Sequence, residues 1–408
     1  MSSGNSSSAN LRRYALVLGL VTAMGPFAID MYLPALPAIG RGLGADTHAV
    51  QASLMAFLIA LGTGQLISGP LSDMYGRKGS LYLGLAIFIA GSLGCAVAPT
   101  IGTLIACRFL QGLGACAIMV IPRAVVRDLY TGPQAARLMS LLMLVYGVSP
   151  ILAPLAGSFV TEAAGWRDVF WLLAALAVLG IALVWAFLPE TRPPAARLQS
   201  SLKGALAGYR LLLGDRHFLG LAFIASLTLA GFFIFVGNSS FVMSTYYGLS
   251  PRDYALVLAF NAVSFIALSQ MNGRLATRFG LACIVRTAIF AHVVTMALLL
   301  ALTLAGFDHL GVLVALLFIG FGLNGIIVPA TFVLAMEGYP AHAGSASALI
   351  GTLNFAGGGV AVAVLAPFAD GTPLPMVAGI AGCSVIVFVL ALLTLRRRCP
   401  VAAANETA

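Results

Sequence analysis

Two ionisable side chains stand inside long apolar stretches of the sequence, where little water is available to stabilise a charge. Asp30 lies in the segment AIDMYLPALP, and Arg108 begins the segment RFLQGLGACA. A charge in such surroundings costs about 2.5–3.5 kcal/mol on insertion scales, so each side chain needs a partner and a purpose. A shielded carboxyl group beside a guanidinium can bind and release a proton as its access to water changes. We therefore predict that Asp30 is a proton carrier tuned by Arg108; a purely structural ion pair is the alternative.

Other chemistry is sparse in this sequence. His292 stands midway along a later apolar stretch and is the next candidate for a proton role, with a hydrogen bond to a neighbouring backbone as the alternative. Nothing resembles a phosphate-binding loop, a cluster of metal ligands or a nucleophile triad. ATP-driven transport and enzymatic catalysis are therefore not expected, and neither is a metal or an organic cofactor. If Asp30 carries protons, a proton gradient would be the energy source.

The elements that position these residues must be membrane helices. Of the 408 residues, 60% are apolar and 9% are charged, and the mean hydropathy is +1.01. Lipid must therefore solvate much of the surface. Residues 1–13 form a polar tail without the features of a cleaved signal peptide. Breaks at glycine, proline and charge clusters predict twelve spans near residues 14–37, 50–70, 79–99, 101–122, 137–161, 168–188, 217–237, 253–271, 281–303, 308–331, 345–366 and 375–395.

The basic residues predict how these helices are oriented. The net charge is +9, but the Lys and Arg residues form short clusters between apolar runs, a pattern that sets topology and does not indicate nucleic-acid binding. The outer loops hold only Arg41, Arg167 and Arg252. Both termini are therefore expected in the cytoplasm, with the chain in a bacterial inner membrane. In this topology Asp30 and Arg108 each lie about seven residues, or ~10 Å, from the outer surface, so their depths match.

The chain is predicted to consist of two related halves. A polar, basic connection falls at its midpoint, and Gly69, Leu71 and Gly76 recur 204 residues later as Gly273, Leu275 and Gly280. We expect two parallel repeats, hence an all-α membrane protein with two pseudosymmetric six-helix bundles. The predicted parts are a cytoplasmic tail at 1–13, a bundle at 14–188, a cytoplasmic linker at 189–216, a second bundle at 217–395 and a tail at 396–408.

Five segments resemble a known family. The loop GPLSDMYGRKGSL after the second helix and RFLQGLGACA in the fourth resemble signature segments of the major facilitator superfamily, and GVSPILAPLAG in the fifth is similar to its antiporter segment. AIDMYLPALP and AGSASALIG look most like the Bcr/CflA group of drug resistance transporters. The resemblance implies drug:H⁺ antiport. The chain departs from the pattern at Ala153 and with a single Gly157, and Thr277 replaces Asp73 in the second copy of the loop.

The loop after the second helix is predicted to form a cytoplasmic gate. Asp73 is followed by Gly76, which allows a tight turn, and by the topological anchors Arg77 and Lys78. The carboxylate can cap a neighbouring helix N-terminus or pair with Arg127, and so close the inner mouth in one conformation. The resemblance implies this gating role; an ordinary solvated aspartate is the alternative.

The fifth predicted helix carries two prolines four residues apart, Pro150 and Pro154, and each removes a backbone donor, so the helix should bend. Gly147 and Gly157 permit close approach to a partner helix. We expect a tight seam that excludes water and prevents proton leak, although small residues and prolines that only pack a bundle would look the same.

Cargo is expected to contact adaptable aromatic, methionine and amide groups near the midplane, although each candidate could instead face lipid or the helix core. The candidates are Phe27, Met119, Tyr146, Phe232, Phe235, Asn238 and Asn354.

Three functions were weighed. The resemblance favours proton-coupled export of small amphipathic drugs of the amphenicol or bicyclomycin type, by a chain that functions as a monomer. Transport of a natural metabolite by the same alternating-access machinery is the alternative. A non-transporting receptor or scaffold is disfavoured, because it needs neither an intramembrane carboxylate such as Asp30 nor an internal repeat.

Overall fold

Within the residues that the computed structural model describes, 3–130, 132–198, 201–339 and 342–395, the chain is helical and contains no β-strand. The predicted all-α class is therefore confirmed. The α-helices are α1 (Ser3–Asp30), α2 (Leu36–Leu43), α3 (Thr47–Tyr75), α4 (Arg77–Ala96), α5 (Ile101–Leu129), α6 (Gly132–Ala163), α7 (Trp166–Phe187), α8 (Pro194–Leu198), α9 (Leu202–Gly214), α10 (Arg216–Phe241), α11 (Pro251–Phe279), α12 (Leu281–Leu304), α13 (Leu310–Glu337), α14 (Ala343–Leu365) and α15 (Pro373–Thr394).

Eleven segments in the described part of the chain are long and apolar enough to cross a membrane. The helix α6, Gly132–Ala163, covers the remaining predicted span at 137–161. The first candidate span runs from Arg13 to Leu43. It is longer than the predicted 14–37 because the short helix α2, Leu36–Leu43, extends it.

The first span is interrupted immediately after Asp30. The helix α1 ends at Asp30, a single 3₁₀ turn covers Leu33–Ala35, and α2 starts at Leu36. Pro34 stands four residues after Asp30 and has no N–H to donate to the Asp30 carbonyl, so the α-helical hydrogen-bond pattern must stop there. The break leaves the predicted proton carrier at a helix end.

The chain divides into two compact units, one comprising residues 1–207 with 243–259 and the other 208–242 with 260–408. In the first unit α5 packs against both α3 and α4, while α1 packs against α6 and α7. In the second unit α10 packs against α13, α14 and α15, and α12 packs against α13 and α15. Glycines allow the closest approaches: a Cβ at Gly112 on α5 would lie 2.4 Å from the Phe57 carbonyl oxygen on α3.

The internal repeat is visible in the helix boundaries. The helix α3 spans Thr47–Tyr75 and α11 spans Pro251–Phe279, so both ends are displaced by the 204 residues that the glycine pattern predicts. The following glycines, Gly76 and Gly280, have positive φ angles of 101° and 80°. The predicted connection at 189–216 is partly helical, since it contains α8 and α9.

A polar pair fixes the start of α10 in the second unit. Asp215 is the N-cap of α10, and its Oδ1 accepts hydrogen bonds from the backbone N–H groups of His217 (2.7 Å) and Phe218 (3.0 Å). The Tyr339 hydroxyl, beyond the end of α13, donates to the other carboxylate oxygen. The Tyr339 hydrogen bond and then the Phe218 N–H hold the pKa of Asp215 below its usual value. The same hydrogen bond raises the pKa of Tyr339 to about 12.

Replacing Tyr339 with phenylalanine is expected to lower the thermal stability of the purified protein at neutral pH, because the capping carboxylate loses a donor. A carboxyl whose pKa is depressed in the folded state stabilises the fold above its unfolded value of about 3.9, and this contribution is lost as the pH falls through the folded-state pKa. The Tm difference between wild type and Y339F should therefore narrow as the pH is lowered from 7 toward 3. With D215N as background, Tyr339→Phe should change the Tm much less; an equal drop would contradict the pairing.

Candidate functional site

Arg108 is fully buried in the first unit, between aromatic rings. Its relative exposure is 0%, and its guanidinium carbon lies 4.3 Å from the Tyr32 ring centroid and 4.2 Å from that of Phe57. The Phe170 ring lies 6.0 Å away. Rings from the turn after α1, from α3 and from α7 therefore supply cation–π stabilisation, and Arg108 forms no ion pair within the described residues.

The polar contacts of Arg108 join α1 to α5 and α4. Its Nη1 donates to the Ala28 carbonyl at 3.1 Å and to the Gln111 Oε1 at 2.6 Å. Gln111 Nε2 donates onward to the Ser92 hydroxyl at 2.7 Å. Arg108 Nε and Nη2 have no hydrogen-bond partner in the described part of the chain. Gln111 and Ser92 were missed by the sequence analysis, although Gln111 lies three residues after Arg108 and so on the same helix face.

Asp30 lies at the level of Arg108 but is not paired with it. The Ala28 contact places the guanidinium two residues from Asp30, which agrees with the predicted equal depth. The predicted pairing itself is wrong: within the described residues no ion pair or hydrogen bond involves the Asp30 carboxyl group. The guanidinium is held instead by Gln111 and the aromatic rings. Asp30 is 7% exposed, so its carboxyl group is nearly buried and unpaired.

The helix α6 packs tightly on the backbone beside Asp30. A Cβ at Gly157 would lie 2.2 Å from the Met31 carbonyl oxygen and 2.7 Å from its Cα, so only glycine fits without displacing the break in the first span. Pro150 and Pro154 both lie within α6. Gly147 is on the same helix, two to three turns before Gly157. The contact of Gly157 is with Met31, the residue next to the carboxylate and just beyond the end of α1, and its role as a seam against proton leak stays a prediction.

The cytoplasmic end of the first unit holds a charge cluster around Arg77. Arg77 is 5% exposed and forms ion pairs with Asp73 (2.6 Å) and Asp128 (2.8 Å), while its Nη1 donates to the Ser72 hydroxyl. The predicted pairing of Asp73 with Arg127 is wrong. Arg127 is exposed, and its neighbour Asp128 is the α5 residue that contacts Arg77. Arg77, which we expected to act as a topological anchor, is therefore the centre of the cluster.

A carboxylate from the connection that follows α7 caps α4. Gly76 is the N-cap of α4 and has no side chain to accept the first N–H groups. Glu190 takes this role: its Oε1 accepts from Arg77 N at 3.0 Å and its Oε2 from Lys78 N at 3.2 Å. Arg197 Nη2 lies 3.5 Å from Glu190 Oε2. A charged acceptor at a helix N-terminus is stabilising, and this one arrives from 113 residues away.

Alanine at Gly76 is expected to destabilise the first unit, because two costs add. The φ of 101° disfavours any Cβ, and that Cβ would lie 2.5 Å from Glu190 Oε2. Gly165, the N-cap of α7, is a matched control with a φ of 109° and nothing within 4 Å of the added Cβ. The Tm of G76A should fall well below that of G165A. Equal losses would show that the Glu190 cap adds nothing.

The cargo candidates of the first unit differ in exposure. Phe27 is partly exposed on α1, three residues before Asp30. Met119 is buried, and its Sδ would lie 2.6 Å from a Cβ at Gly25, so it packs α5 against α1. Tyr146 belongs to α6, but its side chain lies outside the described part of the chain. Of these candidates, Phe27 therefore retains a surface that can meet a ligand.

In the second unit the cargo candidates border an aromatic cluster. Phe232 and Phe235 lie 5.5 Å and 4.9 Å from the Phe321 ring, centroid to centroid. Phe232 is partly exposed and Phe235 is buried. The Asn238 amide donates to the Ile234 carbonyl one turn back. Asn354 is partly exposed but holds a buried Oδ1 without a partner in the described residues.

His292 is buried in the second unit, on α12. Its Nδ1 lies 2.8 Å from the Ser384 hydroxyl on α15, so its predicted hydrogen bond is made to a side chain and not to the backbone. Among the described residues, groups of three or more histidine, cysteine, aspartate or glutamate side chains that could hold a metal ion are not found.

Comparison with known proteins identifies the family of this chain. The family model of the Major Facilitator Superfamily matches residues 18–362. The MFS-type transporter YdgK of Bacillus subtilis is 36% identical over 89% of this chain and 90% of its own length. The bicyclomycin resistance protein homolog of Haemophilus influenzae is 30% identical (94% and 96%), and multidrug resistance protein D of Escherichia coli is 31% identical (85% and 86%). These relatives are consistent with the Bcr/CflA group.

Solved structures show the same fold at low sequence identity. The human organic anion transporter MFSD10 is 18% identical, with a TM-score of 0.69 over 93% of this chain and 99% of its own. A D-xylose–proton symporter is 15% identical, with a TM-score of 0.69 over 97% and 99%. At these identities the likeness concerns the fold alone.

Proposed function

Because the chain belongs to the Major Facilitator Superfamily, we propose that it is a proton-coupled antiporter that exports small amphipathic drugs by alternating access. Two relatives that align over most of this chain are named for resistance to bicyclomycin and to multiple drugs, which supports drug export as the direction of transport. Amphenicol- and bicyclomycin-like compounds are the cargo classes that we propose. The proton gradient across a bacterial inner membrane supplies the energy, and both termini are cytoplasmic.

The observation that carries this proposal is the unpaired carboxyl group of Asp30. It is nearly buried inside the first candidate span and forms no ion pair or hydrogen bond with the rest of the described chain. An unpaired intramembrane carboxyl is costly if it serves only the structure. A group that must alternately bind and release a proton gains from having no fixed partner, because a permanent ion pair would hold it in one charge state.

Arg108 is proposed to tune Asp30 without contacting it. The guanidinium is fixed by the Ala28 carbonyl, by Gln111 and by two aromatic rings, so its charge stays at a constant place near the end of α1. In low-dielectric surroundings a charge acts over several ångströms. Any movement of the break after Asp30 relative to Arg108 would change the potential at the carboxyl, and so link proton binding to conformation.

The charge cluster, the Gly157 contact and the partly exposed aromatic side chains are proposed to support proton coupling at Asp30. The Asp73–Arg77–Asp128 cluster is proposed as the cytoplasmic gate. Both ion pairs share the buried Arg77 side chain, so they can break and re-form together when the conformation changes. The Gly157 contact with Met31 is proposed to keep water from Asp30 in the closed carrier. The partly exposed aromatic side chains Phe27 and Phe232 are each proposed to contact cargo.

The deciding experiment is drug susceptibility of a pump-deleted bacterial strain that expresses this chain. We expect the minimal inhibitory concentration of at least one amphenicol or bicyclomycin to rise several-fold, and a protonophore to abolish the accompanying fall in drug accumulation. If no compound in a broad panel changes potency at verified expression, transport of a natural metabolite becomes the better proposal.

A further inference from the structure

A second polar cluster lies inside the second unit, outside the site described above. His292 on α12, Asn324 on α13 and Ser384 on α15 line one small cavity, whose walls also include Thr228 on α10. His292 is 5% exposed, Asn324 is 4% exposed and Ser384 is 2% exposed, so three polar side chains from three helices meet in the interior of an apolar bundle. Such clusters are expensive unless their hydrogen bonds are complete.

The hydrogen bonds of this cluster are not complete. His292 Nδ1 is joined to the Ser384 hydroxyl, but His292 Nε2 and Asn324 Oδ1 are both buried without a partner in the described chain. In this conformation the cavity has no room for a water molecule. When the imidazole carries its hydrogen on Nδ1 and donates it to Ser384, the two orphan atoms are both acceptors. A hydrogen on Nε2 would turn that nitrogen into a donor, and a conformation that brings Asn324 Oδ1 within reach would then satisfy both atoms.

The architecture alone does not require polar residues here. The helices α4 and α12 begin at Arg77 and Leu281, which are 204 residues apart, so the repeat places Phe88 where α12 carries His292. Phe88 is fully buried in the first unit. The same position in the same kind of helix is therefore filled by an apolar ring in one unit and by a titratable one in the other.

We propose that His292 is a second proton-binding site of this transporter, with Asn324 as the acceptor that holds the bound proton. The inference rests on the proposed proton-coupled transport and adds a site to it. The proton attaches to Nε2, and the new N–H donates to Asn324 Oδ1, while Nδ1–H continues to donate to Ser384. Of the residues that face the cavity from α10, α12, α13 and α15, the only other titratable one is Cys383, and none carries a fixed charge.

Proton binding at this site changes how three helices are held together. In the present conformation the imidazole hydrogen-bonds to Ser384 on α15, and within the described residues it makes no hydrogen bond to α13. A proton on Nε2 adds a charge-assisted hydrogen bond to α13, which draws α13 toward α12. Conformations in which Asn324 and His292 approach each other are therefore favoured by protons, and conformations in which they separate release the proton.

The test is ¹⁵N NMR of histidine-labelled protein in lipid nanodiscs between pH 5 and 8, without any drug. The signal that disappears in H292Q belongs to His292; it should show the Nδ1–H tautomer at high pH and imidazolium at low pH. Asn324→Leu keeps the shape but removes the acceptor. At a given pH it should lower the ratio of imidazolium to imidazole about tenfold or more, as expected for a lost hydrogen bond to a charged group.

Thr228→Val is the matched control, because its hydroxyl already donates to the Ile224 carbonyl and the substitution preserves the cavity wall. T228V should leave the His292 signal unchanged. Absence of imidazolium at His292 across this pH range, or an unchanged ratio in N324L, would overturn the proposal. The NMR measurement does not depend on transport, so the two proposals can fail separately. If His292 titrates in a chain that confers no drug resistance, the proton site is supported and the proposal of drug export is contradicted. If the chain exports drug but His292 does not titrate, Asp30 is the proposed coupling residue that remains.

Discussion

Replacing Asp30 with asparagine is expected to abolish drug-induced proton release and pH-driven export while leaving a folded protein that still binds drug. Asparagine is nearly isosteric with aspartate but cannot ionise. Because the Asp30 carboxyl group makes no ion pair or hydrogen bond in the described chain, the substitution removes no such interaction. The measurements are proton release from purified protein on adding chloramphenicol, drug uptake by inverted vesicles after a pH jump, and Tm.

Asp46→Asn is the control for this experiment. Asp46 is the exposed N-cap of α3, where its Oδ1 accepts from Ala49 N at 2.7 Å, and asparagine caps a helix about equally well. D46N should transport like wild type. If D30N still exports drug against a gradient in a protonophore-sensitive manner, Asp30 is not the coupling residue, and His292 must be tested in its place.

Adding a side chain at Gly157 is expected to lower the stability of the protein and to increase proton leak. Even the Cβ of alanine would lie 2.2 Å from the Met31 carbonyl oxygen, which is backbone and cannot rotate away. Overpacking of this kind costs about 1–3 kcal/mol, so G157A should lower the Tm and slow export. Leucine should separate α6 from the break after Asp30 and raise the passive proton leak of proteoliposomes, measured as the decay of an imposed pH gradient.

Gly382→Ala is the matched control for this helix contact. Gly382 is also inside a membrane helix, α15, but nothing lies within 4 Å of an added Cβ. G382A should keep the wild-type leak and Tm. A normal leak in G157L at normal expression would mean that Gly157 serves packing alone.

The sequence predicted the helices well because length, apolarity and breaks at glycine, proline and charges are local properties. The offset of 204 residues, inferred from a few glycines, recurs at both ends of α3 and α11. The depth of Asp30 and Arg108 was also predictable, since it needs only a count of residues along two helices from the same surface. The Ala28–Arg108 hydrogen bond agrees with that count.

What failed was the direction in which side chains point. Arg127 and Asp128 differ by one position, or 100° around α5, and only Asp128 reaches Arg77. Equal depth likewise predicted that Arg108 pairs with Asp30. The guanidinium instead hydrogen-bonds to Gln111 and lies against the rings of Tyr32 and Phe57. These rings come from helices whose rotation one sequence does not determine. A buried cation that is stabilised by aromatic rings needs no acidic partner, so a search of the sequence for such a partner cannot identify its contacts.

The cap that Glu190 places on α4 has a consequence for the order of synthesis. Residues 77 and 78 leave the ribosome long before residue 190, so the N-terminal N–H groups of α4 must wait for their acceptor while α5, α6 and α7 are made. At about 5–20 residues per second this interval lasts several seconds or more. The start of α4 can therefore be capped only after α7 and Glu190 have been made, and a nascent chain truncated before Glu190 should remain open to protease at the turn after α3.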